Sequence, residues 1–599
     1  MADNQVDMTN ASAASSAVVL EKGETSKQGG RVRRVLDFFG VSSRAGSAGD
    51  ITSGNRVASG SCKTRLLCSA KELLQIIHDL ENGLGDNERW RNNVHSVFVY
   101  AGDDLNALQK LVKSLVPEAE VTALGPGDAE TAECRVSNEF DDFCGVMAGI
   151  NVSRSVFNAD ICLISNINGN SIPIISSGAG VLFLKVEYQG VPVFLSTFND
   201  IIDISAELTS QNFDIRKHFL SATPLVLYIK WAFHSTCWSA SEANACLIID
   251  DPLLRRKYGC LDFEQLLTSM QVHHFSTSIA FIPWNWRRSS SETVSLFKNN
   301  PQYFSLSVHG CDHVRGEFGG SDRLRLYRKA RRALERMSRH ARHTGLQHDC
   351  VMVFPQGVFS KAGMDALKHT NFIGAANNDA VSTDAGQPAL TIADLWAPAV
   401  MRYSSFPIFM RRYPWEGIEN FAFDILLGKP PLIVIHHDYC SDGYDRLTTF
   451  VEALNGLNCS LHWSNLGNAV RRSFRQKPLS SDGVEIEMYG KELALKNGSG
   501  KRMRYVVRKL ESNPSDIKEV HSGTRKITYD CHEDCIRFAV ELNGAETALI
   551  RVTMHELDEK PAQSDENVPY RIKATLRRYM CELRDNHITP TRLRLIGSR

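Results

Sequence analysis

The sequence predicts an α/β protein whose central region carries a mainly parallel sheet, with a smaller α/β region before it and a β-rich region after it. Three observations predict this. Between residues 241 and 480, apolar runs of strand length alternate with amphipathic helical patterns, as βα units require. Two of those runs end in dense polar clusters, Asp250-Asp251 and His309-Gly310-Cys311-Asp312-His313. Beyond residue 481 the helical periodicity gives way to short alternating strands.

At 599 residues the chain is too long for one core. The 68 basic and 68 acidic residues cancel, so no net field draws the protein to nucleic acid or to a membrane. No run approaches the ~20 apolar residues of a membrane span. Met1-Ala2-Asp3-Asn4 opens neither the basic nor the apolar part of a secretory signal, so a cytoplasmic location is expected. Fifteen cysteines, an odd number and often inside apolar strands, read as reduced thiols. Cys531-His532-Glu533-Asp534-Cys535 has no second ligand pair at finger-like spacing, so no structural zinc is expected there.

In chain order, residues 1–60 are rich in Ser, Ala, Gly and Asn and are expected to be a disordered tail, with Arg31 to Val41 a transient helix in it. Residues 61–240 form a helix, Leu66 to Leu84, and a small α/β domain. Within it Ser96 to Tyr100 and Ala159 to Ser165 read as strands, and Asp104 to Leu115 as a helix. Val181 to Tyr188, Gln189-Gly190 and Val191 to Leu195 read as a hairpin, with Pro192 suggesting an edge position. Residues 241–480 are the central domain. Arg323 to Arg342 holds nine Lys or Arg residues, but Tyr327, Ala330, Leu334, Met337 and Ala341 recur at helical steps. That is an outer helix with a solvated side, not a nucleic-acid surface. Trp284 and Trp286, at a strand end, suit stacking on a sugar or packing as a lid. Residues 481–599 read as a β-sandwich-like domain closed by an amphipathic helix, Pro569 to Arg584.

The chemistry concentrates between Ala245 and His313. Ala245 to Ile249 is a strand-length apolar run that delivers two adjacent carboxylates, Asp250 and Asp251, to its C-terminal end. Like charges at the mouth of a sheet repel and are poorly hydrated, which is costly unless something uses them. Phe304 to Val308 delivers His309 and, four residues on, His313, the spacing of two imidazoles on one helical turn. One carboxylate and two histidines can hold a divalent ion and leave positions open, with the second carboxylate free as a base. The bland alternatives are an Asp pair capping a helix and a histidine pair on an ordinary helix face. A non-haem iron site uses the same ligand types, but usually on an antiparallel jelly roll.

An Asp-Asp pair ending one strand and a His-x-x-x-His ending a later one resembles the polysaccharide deacetylases, the NodB-homology group of carbohydrate esterases. Val351 to Gly357 (Val-Met-Val-Phe-Pro-Gln-Gly) resembles the family's third motif, Asp394-Leu395-Trp396 the fourth, and Leu432 to Asp438, with His436 and His437, the fifth. The resemblance covers roughly Ala245 to Pro478. It implies a distorted (β/α) barrel and a divalent-metal hydrolase, with zinc the expected ion, that removes acetyl groups from N-acylated sugars. It also implies the roles. Asp251, His309 and His313 are the metal ligands and Asp250 is the base. His437 or His436 is the acid that protonates the leaving amine, with Asp394 and Trp396 supporting it. The family's His directly before an Asp favours His437, and neighbouring strand residues face opposite ways, so only one of the two points inward.

Two departures stand out. The family's third-motif Arg, which orients the catalytic Asp, falls on Val353, and the residue after the Asp pair is Pro252 rather than Gly. The alternative to a working enzyme is therefore a deacetylase-like protein that binds carbohydrate without turning it over.

Overall fold

The computed structural model describes residues 17–21, 27–53, 63–124, 133–153, 161–178, 180–208, 210–386, 389–557 and 568–589. The chain divides into two compact units. One is Met1–Ala206 with Asp214–Ser239 and Lys477–Ser481, and the other is Glu207–Phe213 with Ala240–Gln476 and Asp482–Arg599.

The first unit is an α/β sheet that runs, from one edge, Ser43–Gly46, Ala17–Leu20, Thr64–Ser69, Val94–Tyr100 and Val191–Ser196, and then continues through Gly180–Tyr188 and Ile172–Ser177. The first five strands are mutually parallel. Several expectations change here. The tail contributes an inner strand, Ala17–Leu20, and a helix, Lys27–Phe38, that buries Val32, Val35 and Leu36. Residues 1–16, 22–26 and 54–60 of that tail lie outside the described residues. Leu66 and Leu67 belong to a strand, and the helix begins only at Ala70. Ser69 and Glu72 form a capping box there, each accepting the other's backbone N–H, which marks the boundary. The strand with Pro192 is not at an edge, because it lies between Val94–Tyr100 and Gly180–Tyr188. Its parallel pairing starts only at Val193, so the missing N–H of Pro192 breaks no bond on that side.

The second unit carries the parallel sheet. Its strands are β1 (Ala243–Asp250), β2 (Thr277–Phe281), β3 (Phe304–His309), β4 (Val351–Val353), β5 (Gly374–Asn377), β6 (Ile408–Met410), β7 (Leu432–His436) and β8 (Leu461–Trp463). The order is β6-β5-β4-β3-β2-β1-β7, with β8 beside the first half of β1. All pairings are parallel. The sheet curls until its ends meet: the Arg412 N–H donates to Leu432 O (2.9 Å) and the Val434 N–H to Arg412 O (2.9 Å). Parallel strands buried on both faces need apolar runs, and β1 and β7 are such runs. All eight strands therefore run in one direction and point their C-terminal residues toward one end, where loop residues are free to carry chemistry.

Helix α1 (Arg323–Thr344) covers β3, burying Leu326, Ala330, Ala333 and Met337 and leaving most of its arginines solvated. The buried stripe also includes Arg336 and His340, so it is rotated from the one the periodicity suggests. The C-terminal strands form two sheets that share one core, with Ile486, Val507 and Phe538 from one and Leu495, Val520 and Ile550 from the other. This sandwich belongs to the same compact unit as the barrel. Lys368 of the barrel reaches Glu511 (2.5 Å) and Asp516 (2.8 Å) of the sandwich through buried ion pairs. The closing helix, α2 (Val568–Leu583), continues into a π-helical turn, Arg584–Ile588.

Candidate metal centre

β1 ends at Asp250, and Asp251 follows in a left-handed backbone conformation, φ 80°. Few side-chain-bearing residues adopt it, Asp and Asn being the least penalised. The turn separates the two carboxylates, so that adjacent like charges point to different partners.

Asp250 meets Arg411, the first residue after β6. Arg411 Nη1 donates to one carboxylate oxygen at 2.7 Å and Nη2 to the other at 2.8 Å. Both side chains are buried. Burial pushes the Asp250 carboxyl up, but the Arg411 guanidinium, with His309 and His436 nearby, outweighs it and holds the group below the usual carboxylate range. The cation missing at Val353 of β4 is thus supplied from β6, on the far side of β5 in the sheet.

Asp251 meets the two histidines. Its Oδ1 lies 3.3 Å from His309 Nε2 and 2.9 Å from His313 Nε2. Against the effect of burial, the two imidazoles hold its carboxyl well below the ordinary value. His309 Nδ1 lies 3.0 Å from the carbonyl oxygen of Val353. A carbonyl only accepts, so Nδ1 carries the proton and Nε2 turns toward Asp251, the tautomer a metal-binding histidine needs. Asp251 Oδ1 and His313 Nδ1 are buried with no partner of hydrogen-bond geometry among the described residues. The ligand atoms of Asp251, His309 and His313 lie within 4.8 Å of one another. One carboxylate oxygen thus faces the Nε2 atoms of both histidines, and these three residues can hold a divalent ion.

His309 and His313 do not share a helical turn. The loop between them wraps a buried carboxylate instead: Glu317 accepts the backbone N–H groups of Cys311 (3.0 Å), Asp312 (2.7 Å) and His313 (3.1 Å). His313 itself has φ 55°. Gly310, at φ 61°, packs so closely that a Cβ there would meet Glu317 and sit 2.5 Å from Pro355 Cγ. Beneath the loop Asp312 is buried against Arg336, Lys329 (3.5 Å) and the Tyr570 hydroxyl (2.6 Å). Cys311, Asp312 and Glu317 also cluster, but these cations already neutralise their carboxylates, so the cluster is an ion-pair network that anchors the histidine loop.

The fifth-motif histidines diverge. His436 pairs in register with Asp250 across the β1–β7 ladder, and its Nδ1 is 3.9 Å from Asp251 Oδ2. Its side chain is 41% exposed, at the open end of the barrel. His437 turns into the protein, with its Nε2 3.7 Å from Asp585 and its ring edge-on to Tyr258 at 5.5 Å. Asp394 caps its own helix, accepting from the Thr391 N–H (2.8 Å) and hydroxyl (2.9 Å). Trp396 is buried in an aromatic cluster with Phe213 and Phe423. Trp284 carries the Arg336 guanidinium at 4.4 Å and the edge of Tyr570 at 6.5 Å, so packing already engages its ring.

Arg411, Glu317, Tyr258 and Asp585 do not stand out in the sequence. Only Arg411 leaves a signal, because the short apolar run Ile408–Met410 ends in Arg411-Arg412 as the other barrel strands end in Asp or His.

Asp585 has a testable pH dependence. Burial raises its pKa, but bonds from His437, Arg584 and Tyr258 outweigh this and bring it to about 2. The carboxyl is therefore depressed on folding, and its contribution to holding the C-terminal turn is present above about pH 4, the unfolded value. It is lost as pH falls through about 2. Amide exchange over 568–588 is expected to accelerate between these limits before the β1–β7 core opens. In Asp585→Asn it is expected to be fast already at neutral pH. Equal protection in both proteins at every pH would refute this.

No family model matches the chain, and no curated protein matches it in sequence. Among solved structures, one described as a polysaccharide deacetylase from Mycobacterium smegmatis is 11% identical, with 38% of this chain and 90% of that chain covered and a TM-score of 0.27. A family 4 carbohydrate esterase from Streptomyces lividans is 12% identical over 38% of this chain and 93% of its own, with a TM-score of 0.23. A protein described as a GMP synthase subunit from Thermoplasma acidophilum is 16% identical over 31% of this chain and 83% of its own, with a TM-score of 0.21. Likenesses at these scores carry no weight for function, which is read from the side chains of the site alone.

Proposed function

We propose that the barrel is a divalent-metal-dependent hydrolase that removes an N-acyl group, acetyl in the simplest case, from a sugar or polysaccharide intermediate, with zinc as the ion. One observation carries the reading: Asp251, His309 and His313 converge at the open end of the barrel while Asp250, beside them, is held by Arg411. Asp251, His309 and His313 would hold the ion, which when bound makes a water more acidic and stabilises the negative charge that develops on the carbonyl oxygen.

The chain's own groups supply the proton transfers. Asp250 takes the proton from the attacking water. Arg411 trades basicity for orientation, because a carboxylate with both oxygens fixed cannot rotate away but is a weaker base. Among the two histidines, the geometry favours His436 as the acid for the leaving amine. It faces Asp251 and remains open to solvent for reprotonation, whereas His437 is engaged with Asp585 and Tyr258. This reverses the preference implied by the family's motif. Asp394 and Trp396 act in this reading as a helix cap and a core residue.

The assay is acetate release from N-acetylglucosamine oligomers in the presence of zinc. Asp250→Asn is expected to abolish release. His436→Ala is expected to slow it by about 10²–10⁴-fold with the ion still bound, and His437→Ala to leave turnover near wild type. A large loss confined to His437→Ala would restore the motif-based assignment. Glycan binding without turnover by the wild type, under zinc, cobalt and manganese alike, would make the protein a non-catalytic carbohydrate binder.

A further inference from the structure

Helix α2 is built inside out. Its buried positions are Ala574, Arg578 and Glu582, followed by Asp585 in the π-helical turn. Polar bonds hold it to the barrel. Glu582 pairs with Arg288 and with Arg255 (2.6 Å), the Tyr570 hydroxyl donates to Asp312 (2.6 Å), and the Tyr258 hydroxyl donates to Asp585 (2.7 Å). The side away from the barrel is apolar: Val568 (68% exposed), Ile572 (55%), Leu576 (59%), Met580 (64%) and Leu583 (51%), with Tyr579 (54%) at its edge, where the Arg288 guanidinium of the barrel lies 4.2 Å from its ring. These recur at three- and four-residue steps, a single stripe along the helix. A surface helix ordinarily turns such a stripe inward. Single exposed apolar residues are common, but a stripe of this length marks an interaction surface.

Among the described residues of this helix, the exposed charges are of one sign. Arg571 and Lys573 are exposed beside the stripe and Arg577 is half-buried, while the only acids of the segment, Glu582 and Asp585, are buried against the barrel. From Val568 onward the sequence has eight Lys and Arg residues against those two acids, three of them, Arg592, Arg594 and Arg599, beyond the described helix. The zero net charge of the whole chain conceals this local excess.

We propose that this face of α2 docks on an anionic lipid bilayer, lying in the headgroup plane. An apolar stripe with a cationic rim is what such a helix requires: the stripe enters the acyl boundary and the basic side chains meet anionic headgroups. Charge selects this occupant. A second copy of the helix would bring one basic rim against another, with no exposed acid on the described helix to meet it. Spanning is not involved, since among the described residues no helix is long and apolar enough to cross a membrane. The inner side of the same helix stays on the protein, with Asp585 beside His437 and Tyr258. The proposal does not depend on the catalytic reading, and its test requires no turnover.

The test is co-sedimentation of the full chain with vesicles of phosphatidylcholine alone and of equal parts phosphatidylcholine and phosphatidylglycerol. Binding to the mixed vesicles is expected, weaker by about tenfold or more on phosphatidylcholine alone or in high salt. Ile572→Glu with Leu576→Glu changes only exposed side chains and is expected to lower binding by about tenfold or more, with circular dichroism unchanged. Arg571→Glu with Lys573→Glu should remove the preference for the anionic vesicles while retaining the fold. Failure of the wild type to bind mixed vesicles, or binding indifferent to the Ile572/Leu576 pair, overturns the proposal. A wild-type dimer that this pair dissociates, without vesicle binding, would assign the face to a second copy instead.

Discussion

Arg411→Met is expected to abolish most of the turnover and to destabilise the barrel by about 3–5 kcal/mol. Asp250 and Arg411 have side chains only 4% and 3% exposed, and their two bonds of 2.7 and 2.8 Å are the carboxylate's principal compensation for leaving water. Removing the guanidinium leaves a buried charge without its principal partner. The carboxyl must then take up a proton, which removes it as a base, or remain charged at a large cost. Pairing Arg411→Met with Asp250→Asn is expected to restore much of the stability and none of the activity, because the cost lies in the orphaned partner rather than in the lost attraction. Arg411→Lys keeps the charge without the two-pronged geometry, so it should retain more stability than activity. Urea unfolding and acetate release on the four proteins check this. An Arg411→Met protein within about 0.5 kcal/mol of wild type, the range of an ordinary surface substitution, would refute it.

The second large effect is metal-linked stability. A ligand at a hundredfold excess over its dissociation constant stabilises the folded state by about 2.7 kcal/mol. Added zinc is therefore expected to raise the unfolding temperature of the wild type, and a chelator to lower it. His309→Ala and His313→Ala should show neither change. Asp251→Gly should separate binding from strain. It removes a ligand, but it also relieves a φ of 80°, a conformation that costs a non-glycine residue about 1–3 kcal/mol. The metal-free Asp251→Gly protein is expected to be at least as stable as the metal-free wild type, and unresponsive to zinc. A zinc response equal in all four proteins would place the ion elsewhere.

The parts of the site legible in the sequence share one property, that they end long apolar strands. β1 and β7 are continuous apolar runs, and an abrupt change to Asp250-Asp251 or to His436-His437 stands out against them. Arg411 follows a strand of only three residues, too short for any pattern to register, and its relation to Asp250 exists only because the curled sheet brings β6 round to β7. The choice between His436 and His437 depends on the register of β7 against β1, which a single strand does not contain. The four-residue interval from His309 to His313 suits a helix, yet Glu317 gathers three backbone N–H groups and makes a loop of it. Ala17–Leu20 looks too short to order a tail of small polar residues, but Leu66 and Leu67 on a neighbouring strand complete its core. Helix α2 shows a further limit. Periodicity reveals that a helix has two faces and not which one is buried, and in α2 the polar one is.

Metal analysis of the purified full chain tests the central claim most directly. Wild type, His309→Ala and His313→Ala, each equilibrated with zinc and passed through a desalting column, are compared by elemental analysis. The account predicts about one zinc ion per wild-type chain, as a site with three protein ligands and an open position binds, and substantial loss in both variants with the fold retained. Equal zinc in all three proteins, or none in any, would contradict it.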